Sequence, residues 1–377
     1  MNTAPHAPYF IGLMSGTSLD GVDGVLCQLG TDGTWQGLLA HAHRPFSPTL
    51  YDALQALQAP GMNELHRGAL AGNALARVYA ETCAALLEQT GLGPQDIRAI
   101  GAHGQTVRHQ PGMHDGTGYT VQLLQGALLA ELSGIDVVAD LRSRDLAAGG
   151  QGAPLVPPFH QALFGRGDRI RGVVNIGGIS NITLLRPHQS LIGFDCGPGN
   201  TLLDHWCQTH RQQPFDRNGA WAAQGRVDPA LLDHLHQETF FALPAPKSTG
   251  RDLFNAAWLA HKLDTWAEPI SATDVQATLT ELTARSIANE LLRYAADVQD
   301  VLVCGGGAFN THLMQRLQAA LPQAKVLSTA EEGLAPDHVE AAAFAWLAWA
   351  HTQHQPGNHP SVTGAKGFRV LGALHPA

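Results

Sequence analysis

A glycine-rich turn near the amino terminus has the residue types that phosphate binding requires. Such binding needs backbone N–H groups turned toward an anion, hydroxyl groups as further donors, and a carboxylate to hold Mg²⁺. The segment Gly16-Thr17-Ser18-Leu19-Asp20-Gly21-Val22-Asp23 offers all three. We therefore predict that phosphate is bound by Gly16, Thr17, Ser18, Asp20, Gly21 and Asp23, with Asp20 as the metal ligand. The alternative is an ordinary hairpin turn, because Asp-Gly alone is a strong hairpin signal.

Two more glycine segments follow short apolar strands later in the chain. Gly177 and Gly178 lie between two strand-like runs, where they would present N–H groups to a phosphate in the same way. Gly305, Gly306 and Gly307 lie between a strand and a helix, where missing side chains let a flat nucleotide approach the backbone. The alternatives are a plain hairpin turn and a tight strand-to-helix turn. Two similar turns in separate domains favour a shared phosphate ligand.

Two carboxylates are candidates for acid–base chemistry. Asp195 is predicted to end an apolar strand before a Gly-Pro-Gly turn, which would place its carboxylate at the carboxyl edge of a sheet, where ligands of α/β proteins bind. A carboxylate there can accept a proton from water or a hydroxyl group, or it can simply cap the helix that follows. Glu340 opens the last helix and is either a surface residue favoured by the helix dipole or a site carboxylate.

Polar residues near the middle of the chain are candidates for substrate binding. His103 and Gln105 follow a predicted strand and could bond a sugar, although a buried core histidine is the alternative. Arg142 and Arg144 precede a glycine-rich loop and could bind a carboxylate or phosphate through two parallel N–H bonds, or could belong to a solvated crossover loop.

Several common catalytic motifs are missing from the sequence. It contains neither GxxxxGK[ST] nor a GxGxxG that opens a helix after a strand, which disfavours a P-loop NTPase and a Rossmann dehydrogenase. It also has no GxSxG and no HExxH, which disfavours a serine hydrolase and a zinc protease.

The elements that must position these residues alternate between strands and helices. Residues 9–14 and 22–29 read as a strand, a glycine turn and a returning strand, and residues 172–176 and 182–185 repeat that unit. Long apolar helices are predicted over residues 65–87 and 271–298. The sequence therefore predicts an α/β protein whose architecture is duplicated.

Composition and charge limit the classes of binding partner and the cellular compartment that the chain is expected to have. The chain has 377 residues, enough for two or three domains, and its formal charge of −9 disfavours binding to nucleic acid or to an anionic membrane. Five cysteines without CxxC spacing indicate neither a disulfide framework nor a zinc knuckle and favour a reducing cytoplasm. No apolar run reaches the ~18 residues of a membrane span, and no export signal is evident.

Six motifs, in order, resemble those of the anhydro-N-acetylmuramic acid kinases, in the superfamily of sugar and acetate kinases, chaperone ATPases and actin. They span nearly the whole chain: Gly12-Leu13-Met14-Ser15-Gly16-Thr17-Ser18-Leu19-Asp20-Gly21, Gly104-Gln105-Thr106, Ala148-Gly149-Gly150-Gln151-Gly152-Ala153-Pro154-Leu155-Val156, Asn175-Ile176-Gly177-Gly178, Phe194-Asp195-Cys196-Gly197-Pro198-Gly199-Asn200 and Cys304-Gly305-Gly306-Gly307-Ala308. The resemblance implies an α/β, two-lobed actin-like ATPase (ribonuclease H-like) fold with the active site in the cleft between the lobes. We place the lobes at residues 1–138 with 351–377, and at 139–350.

The resemblance also implies a reaction. Water would open the 1,6-anhydro ring of anhydro-N-acetylmuramic acid while O6 takes the γ-phosphate of ATP, with Mg²⁺, giving N-acetylmuramic acid 6-phosphate and ADP in cell-wall recycling. By position in its motif, Asp195 would activate the water, with Glu340 as a second carboxylate. Arg142 or Arg144 would bind the lactyl carboxylate of the sugar. The implied enzyme is cytoplasmic and binds a small molecule, with a homodimer as one expected state. The rival interpretations are a kinase of another sugar and an ATP-regulated chaperone or filament protein.

Overall fold

A computed structural model describes residues 8–16, 18–250, 253–266 and 268–377. Contacts between residues divide the chain into two compact units. The first comprises the chain up to Leu163 together with His338–Ala377, and the second comprises Phe164–Asp337. Among the described residues, no helix combines the length and the apolar character needed to cross a membrane.

The chain alternates between strands and helices, as the sequence predicts. The strands are β1 Tyr9–Met14, β2 Gly21–Leu29, β3 Trp35–Pro45, β4 Ile97–Ala102, β5 Gln105–Pro111, β6 Gly118–Leu123, β7 Val137–Ala139, β8 Arg171–Ile176, β9 Ile179–Leu185, β10 Ile192–Pro198, β11 Asp300–Cys304, β12 Lys325–Ser328 and β13 Ala373–His375. The α-helices are α1 Pro48–Ala56, α2 Glu64–Thr90, α3 Gly126–Ser133, α4 Ser143–Ala147, α5 Pro157–Phe164, α6 Thr201–Arg211, α7 Pro229–His236, α8 Thr239–Ala242, α9 Ala256–Asp264, α10 Ala272–Tyr294, α11 Thr311–Ala320, α12 Val339–Thr352 and α13 Pro360–Thr363.

The first unit is built on a mixed sheet with the order β13-β7-β4-β1-β2-β3. β1, β4 and β7 are parallel, whereas β2 and β3 continue antiparallel from β1. Helix α2 contributes Leu75, Tyr79 and Leu86 to the apolar core beside this sheet. Because the three parallel strands end at one edge, the loops that follow β1, β4 and β7 leave the sheet together.

The second unit repeats this topology. Its sheet has the order β10-β9-β8-β11-β12, with β8, β11 and β12 parallel and β9 and β10 antiparallel in sequence from β8. Helices α10 and α11 pack on it through residues such as Ile287, Leu291 and Leu317. The predicted α/β fold class and the duplicated strand–turn–strand unit are confirmed.

The division into units differs from the prediction of 1–138 with 351–377 and 139–350. Residues 338–350 belong to the first unit because α12 packs directly on its sheet. Residues 139–163 also belong to it, and Asp145 links them to Asn358 and Thr363 by hydrogen bonds. A side-chain carbon at Gly12 of β1 would overlap the carbonyl group of Ala341, and one at Gly101 of β4 would overlap that of Phe344. These two glycines let the helix backbone approach the strands, a long-range contact that its alanine-rich sequence alone does not reveal.

The position of Asp195 also differs in detail. The sequence predicts that the strand ends at this residue, but β10 continues to Pro198 through an irregular register between Asp195 and Gly197. At Gly197, φ is +150°, a value that permits the irregularity. Asp195 is therefore on a strand, three residues before its end.

Candidate active-site residues

The loop between β1 and β2 carries the first predicted phosphate site. The hydroxyl group of Ser18 donates a 2.7 Å hydrogen bond to Oδ1 of Asp20, whose side chain is exposed. Leu19 has a φ of +59° and is nevertheless buried, so a strained backbone conformation is fixed by packing of its side chain. Thr17 lies outside the described residues. Gly16 and Gly21 flank this turn, Gly21 as the first residue of β2.

The hydroxyl group of Tyr79, on α2, links the start of this loop to the loop after β4. Its hydroxyl group lies 2.8 Å from Oγ of Ser15 and accepts a hydrogen bond of 3.1 Å from the backbone N–H of Gly104. Gln105 adds a second link, because its Nε2 donates to the carbonyl group of Gly16 at 3.0 Å. Gln105 is fully buried, and its Oε1 has no hydrogen-bond partner among the described residues. This buried amide oxygen beside the loop therefore has an unused capacity to accept a hydrogen bond.

Asp23 lies on β2 beside two histidines of β3. Nδ1 of His43 is 2.9 Å from its Oδ1, and Nε2 of His41 is 3.5 Å away. Burial raises the pKa of Asp23, but the hydrogen bonds and charges of the two imidazoles outweigh it, so the net pKa is lowered. The carboxylate is thus ionised and held in place, which sequence inspection did not anticipate.

His103 and Arg142 form a partly buried polar pair in the first unit. Arg142 donates from Nε and Nη2 to Nε2 of His103 at 3.1 and 2.9 Å, and from Nη1 to the carbonyl group of Gly152 at 2.7 Å. Because Nε2 accepts these bonds, the imidazole proton belongs on Nδ1. Burial and the charge of Arg142 lower the pKa of His103 to about 3, so the imidazole is neutral at physiological pH.

The remaining predicted residues of this unit differ in exposure. Burial lowers the pKa of Arg142 to about 10, opposed by the negative charges of Glu340 and Asp145, so this side chain stays cationic near neutral pH. Arg144 is exposed on α4 and forms no hydrogen bond or ion pair with the described residues. Glu340 is exposed in the first turn of α12, close enough to Arg142 for the two charges to interact. Of the two arginines predicted to bind substrate, Arg144 is thus the one whose guanidinium group has no partner among the described residues.

Asp145 is a structural carboxylate that organises the glycine-rich loop after α4. It is fully buried and accepts hydrogen bonds from the N–H of Gly152 at 2.7 Å, from Nδ2 of Asn358 at 2.6 Å and from Oγ1 of Thr363 at 2.8 Å. A side-chain carbon at Gly150 would overlap its Oδ2. Close approach to this buried carboxylate thus explains the glycine at position 150.

In the second unit, three glycine segments meet at the carboxyl edge of the sheet. We call residues 177–178, 197–200 and 305–307 the glycine cluster. The carbonyl group of Gly177 accepts from the N–H of Asn200 at 2.8 Å, and that of Gly178 accepts from the N–H of Gly199 at 2.9 Å. Gly305 has a φ of +75°, and a side-chain carbon there would overlap Oδ1 of Asn175. The cluster joins the ends of β8, β10 and β11, where backbone can approach a nucleotide closely.

Asp195 lies on β10 near the glycine cluster, in a partly buried environment. The N–H of Thr249 donates to its Oδ2 at 3.0 Å, and its own N–H donates to the carbonyl group of Lys247 at 3.1 Å. Burial raises the pKa of Asp195 to about 6, although the Thr249 N–H favours the charged form. A carboxylate with a raised pKa is a stronger base than an exposed aspartate and is still ionised at neutral pH.

Sequence inspection missed the residues that hold these groups. Tyr79 matches the apolar pattern of α2, which does not distinguish it from an ordinary core residue. Lys247 is one of only four lysines and lies in the proline-rich segment Leu243–Gly250, which is weak evidence for a role. Among the described residues, no group of three or more His, Cys, Asp or Glu side chains could together hold a metal ion. All five cysteines are buried.

Comparison with known proteins identifies close relatives. The model of the anhydro-N-acetylmuramic acid kinase family matches residues 8–377. A protein of that name from Variovorax paradoxus is 57% identical over 375 aligned positions, covering 98% of this chain and 99% of the relative. Another from Albidiferax ferrireducens is 55% identical over 388 positions, covering 98% and 99%. A third from Bordetella pertussis is 55% identical over 386 positions and covers both chains completely.

Proposed function

Because the chain belongs to the anhydro-N-acetylmuramic acid kinase family, we propose that Asp195 is the base of its reaction. The chain is a kinase of 1,6-anhydro-N-acetylmuramic acid that acts in cell-wall recycling. The observation that carries the assignment of the base is the partly buried carboxylate of Asp195, with its pKa raised to about 6, next to the glycine cluster. Water attacks C1 of the sugar, and Oδ1 or Oδ2 of Asp195 takes its proton.

The phosphoryl transfer follows from the opening of the anhydro bridge. As the C1–O6 bond breaks, O6 gains negative charge and attacks the γ-phosphate of ATP, and the β–γ bridging oxygen leaves with ADP. Most of the catalysis in such transfers comes from positioning and charge neutralisation. We assign the nucleotide phosphates to the two glycine turns, with Gly16, Thr17, Ser18, Asp20, Gly21 and Asp23 in one and Gly177 and Gly178 in the other. Gly305, Gly306 and Gly307 are assigned to the adenosine.

Asp20 fits the demands of Mg²⁺ in a nucleotide complex. Mg²⁺ keeps several waters and takes one or two carboxylates in addition to phosphate oxygens. The Asp20 carboxylate is exposed and receives a hydrogen bond from Ser18, which leaves lone pairs for a cation. When bound, the ion neutralises charge on the β- and γ-phosphates.

The sugar is assigned to polar groups of the first unit. The free Oε1 of Gln105 can accept a hydrogen bond from the sugar, and the neutral His103 is fixed beside it by Arg142. Arg144, whose guanidinium group is unused, is the candidate for two parallel bonds to the lactyl carboxylate. Arg142 supplies positive charge to this region. We assign Glu340 as the second carboxylate of the acid–base chemistry, in addition to Asp195. Five cysteines without CxxC spacing favour a cytoplasmic enzyme, and light scattering would test for a homodimer.

The experiment is ADP production with Mg-ATP and a panel of sugars. We expect rapid ADP release with 1,6-anhydro-N-acetylmuramic acid and little with N-acetylmuramic acid, N-acetylglucosamine or glucose. Equal rates with the anhydro and the ordinary muramic sugars would contradict the hydrolytic reaction. Sugar-independent ATP turnover as the main activity would contradict the kinase assignment.

A further inference from the structure

The backbone segment Ala245–Thr249 contacts Asp195 at two points. The carbonyl group of Lys247 accepts the N–H of Asp195 at 3.1 Å, and the N–H of Thr249 donates to Oδ2 of Asp195 at 3.0 Å. The first contact fixes the backbone of Asp195, and the second fixes the orientation of its carboxylate. The geometry of the proposed base therefore depends on where this segment lies.

A buried ion pair holds the middle of the segment. Nζ of Lys247 lies 2.8 Å from Oε1 of Glu290, and the two side chains are only 2% and 7% exposed. Nζ also donates to the carbonyl group of Phe240 at 3.2 Å and lies 4.6 Å from the centre of its ring. The ammonium group thus has three separate attractive contacts, which fix the position of residue 247.

One face of helix α10 supplies Glu290 and a second contact to the segment. Glu290 and Tyr294 are four residues apart, and the hydroxyl group of Tyr294 accepts the N–H of Ala245 at 2.6 Å. Seven residues before Glu290, Thr283 donates from Oγ1 to the carbonyl group of Gly199 in the glycine cluster at 3.1 Å. Residues spaced by four and seven share one side of a helix. One rigid face therefore holds both the glycine cluster and the segment that orients Asp195.

Stability alone does not explain a buried pair of this kind. Removing two charges from water costs about as much as their attraction returns, so a well-packed apolar pair of the same size would stabilise the fold equally well. What the ion pair adds is a fixed location for both groups. Cys196 lies close enough to Asp195, Lys247 and Glu290 to feel the charge of each, and Arg293 lies 3.8 Å from Glu290 at the exposed side.

We propose that Lys247 and Glu290 are positioning residues for Asp195, acting through the Thr249 N–H that orients its carboxylate. The proposal rests on the assignment of Asp195 as the base. Without the ion pair, the segment shifts and the Thr249 N–H no longer faces Oδ2. The carboxylate then loses the orientation needed to take the proton of the attacking water, while the nucleotide contacts remain.

The variants Glu290→Gln and Lys247→Met test this proposal in the full-length enzyme. We expect kcat to fall by about 10- to 100-fold, the effect of misplacing a reacting group by about 1 Å, with the KM for ATP unchanged within about twofold. The Thr249 N–H bond favours the charged form of the Asp195 carboxylate, so its loss should raise the pKa of that group. The acidic limb of kcat/KM should therefore move to higher pH. Lys247→Arg keeps the charge and should recover part of the rate.

A double-mutant cycle separates positioning from general destabilisation. In an Asp195→Asn background, adding Glu290→Gln should change kcat by no more than about twofold, since the group it positions is already absent. If Lys247→Met does not fold, Tyr294→Phe removes only the acceptor of the Ala245 N–H and tests the same segment. Glu281→Gln is the matched control, because Glu281 is a buried carboxylate on the same helix whose partners are Arg285 and Arg316. It should lower the melting temperature without moving the acidic limb.

The outcomes distinguish this proposal from the assignment of the base. Equal losses of kcat from Glu290→Gln in the wild-type and Asp195→Asn backgrounds, or an unmoved acidic limb in both single variants, would overturn the positioning role. Near-normal turnover of Asp195→Asn would instead overturn the assignment of Asp195 itself.

Discussion

The backbone N–H of Thr249 donates a 3.0 Å hydrogen bond to Oδ2 of Asp195, across 54 residues of sequence. This bond stabilises the charged carboxylate, yet burial outweighs it and the pKa of Asp195 is raised to about 6. The two opposing effects leave a carboxylate that is ionised at neutral pH and basic enough to accept a proton from water. The pH dependence of the reaction follows from this balance.

We expect kcat/KM for the sugar to be constant near neutral pH and to fall by about tenfold per pH unit below about pH 6. The sign follows from the raised pKa, because lowering the pH through about 6 protonates Asp195 and removes the base. Initial rates between about pH 5 and 8, with circular dichroism to confirm that the protein stays folded, would measure the limb. A flat profile down to about pH 5 would show that no group of this pKa is required.

The two arginines near the glycine-rich loop should behave differently on substitution. Arg142→Ala removes the partner of His103 and of the Gly152 carbonyl group, so it should lower both the melting temperature and kcat. Arg144→Ala should leave the melting temperature unchanged and raise the KM for the sugar by about tenfold, with the KM for ATP unaffected. An unchanged sugar KM in Arg144→Ala would place the lactyl carboxylate elsewhere.

Gly305 and Gly333 form a matched pair for testing the glycine cluster. Both have positive φ, +75° and +85°, but a side chain at Gly305 would overlap Oδ1 of Asn175 whereas none of the described atoms lies within 4 Å of one at Gly333. Gly333→Ala should therefore lower the unfolding free energy by only about 1–2 kcal/mol, which is the cost of a left-handed backbone conformation for alanine. Gly305→Ala should lose more and also raise the KM for ATP. If the two variants had the same unfolding free energy and the same KM for ATP, a nucleotide-binding role for Gly305 would be contradicted.

The repeated fold could be predicted because its signals are local. Each strand, glycine turn and returning strand occupies fewer than about 30 consecutive residues, a range over which apolar runs and turn residues are informative. The start of α10 could also be predicted from sequence, because Ser271 caps the helix by accepting a hydrogen bond from the N–H of Asp274. The predicted glycine motifs at Gly177 and Gly305 likewise lie at strand ends in the structure.

Features that depend on distant residues could not be predicted. Leu65 and Leu70 follow the apolar pattern of α2 but are 93% and 56% exposed, because the helix packs through its other side. The membership of α12 in the first unit could not be predicted for the same reason, since no local pattern specifies the partner surface. The β5–β6 hairpin is local, but its strands are largely polar and lack the apolar runs from which strands are predicted. The pairing of Lys247 with Glu290 joins residues 43 positions apart and has no sequence signature.

The stereochemistry of the product should reveal a single inversion. The 1,6-anhydro bridge locks the C1–O6 bond on the β face, so water can attack C1 only from the opposite face. N-acetylmuramic acid 6-phosphate should therefore form first as the α-anomer and reach its equilibrium mixture later by mutarotation. Proton NMR of the anomeric position at early times would follow this order. An initial excess of the β-anomer would contradict direct attack of water activated by Asp195.

The most direct test of the account is the turnover of Asp195→Asn with Mg-ATP and 1,6-anhydro-N-acetylmuramic acid. Asparagine keeps the shape of the side chain and can still accept the Thr249 N–H, but it cannot take a proton from water. Turnover should fall by roughly 10²- to 10⁴-fold, the range expected for loss of a general base, while the melting temperature and the Kd for ATP stay at their wild-type values. A folded Asp195→Asn enzyme with near wild-type turnover would contradict the account and would make Glu340 the next candidate for the base.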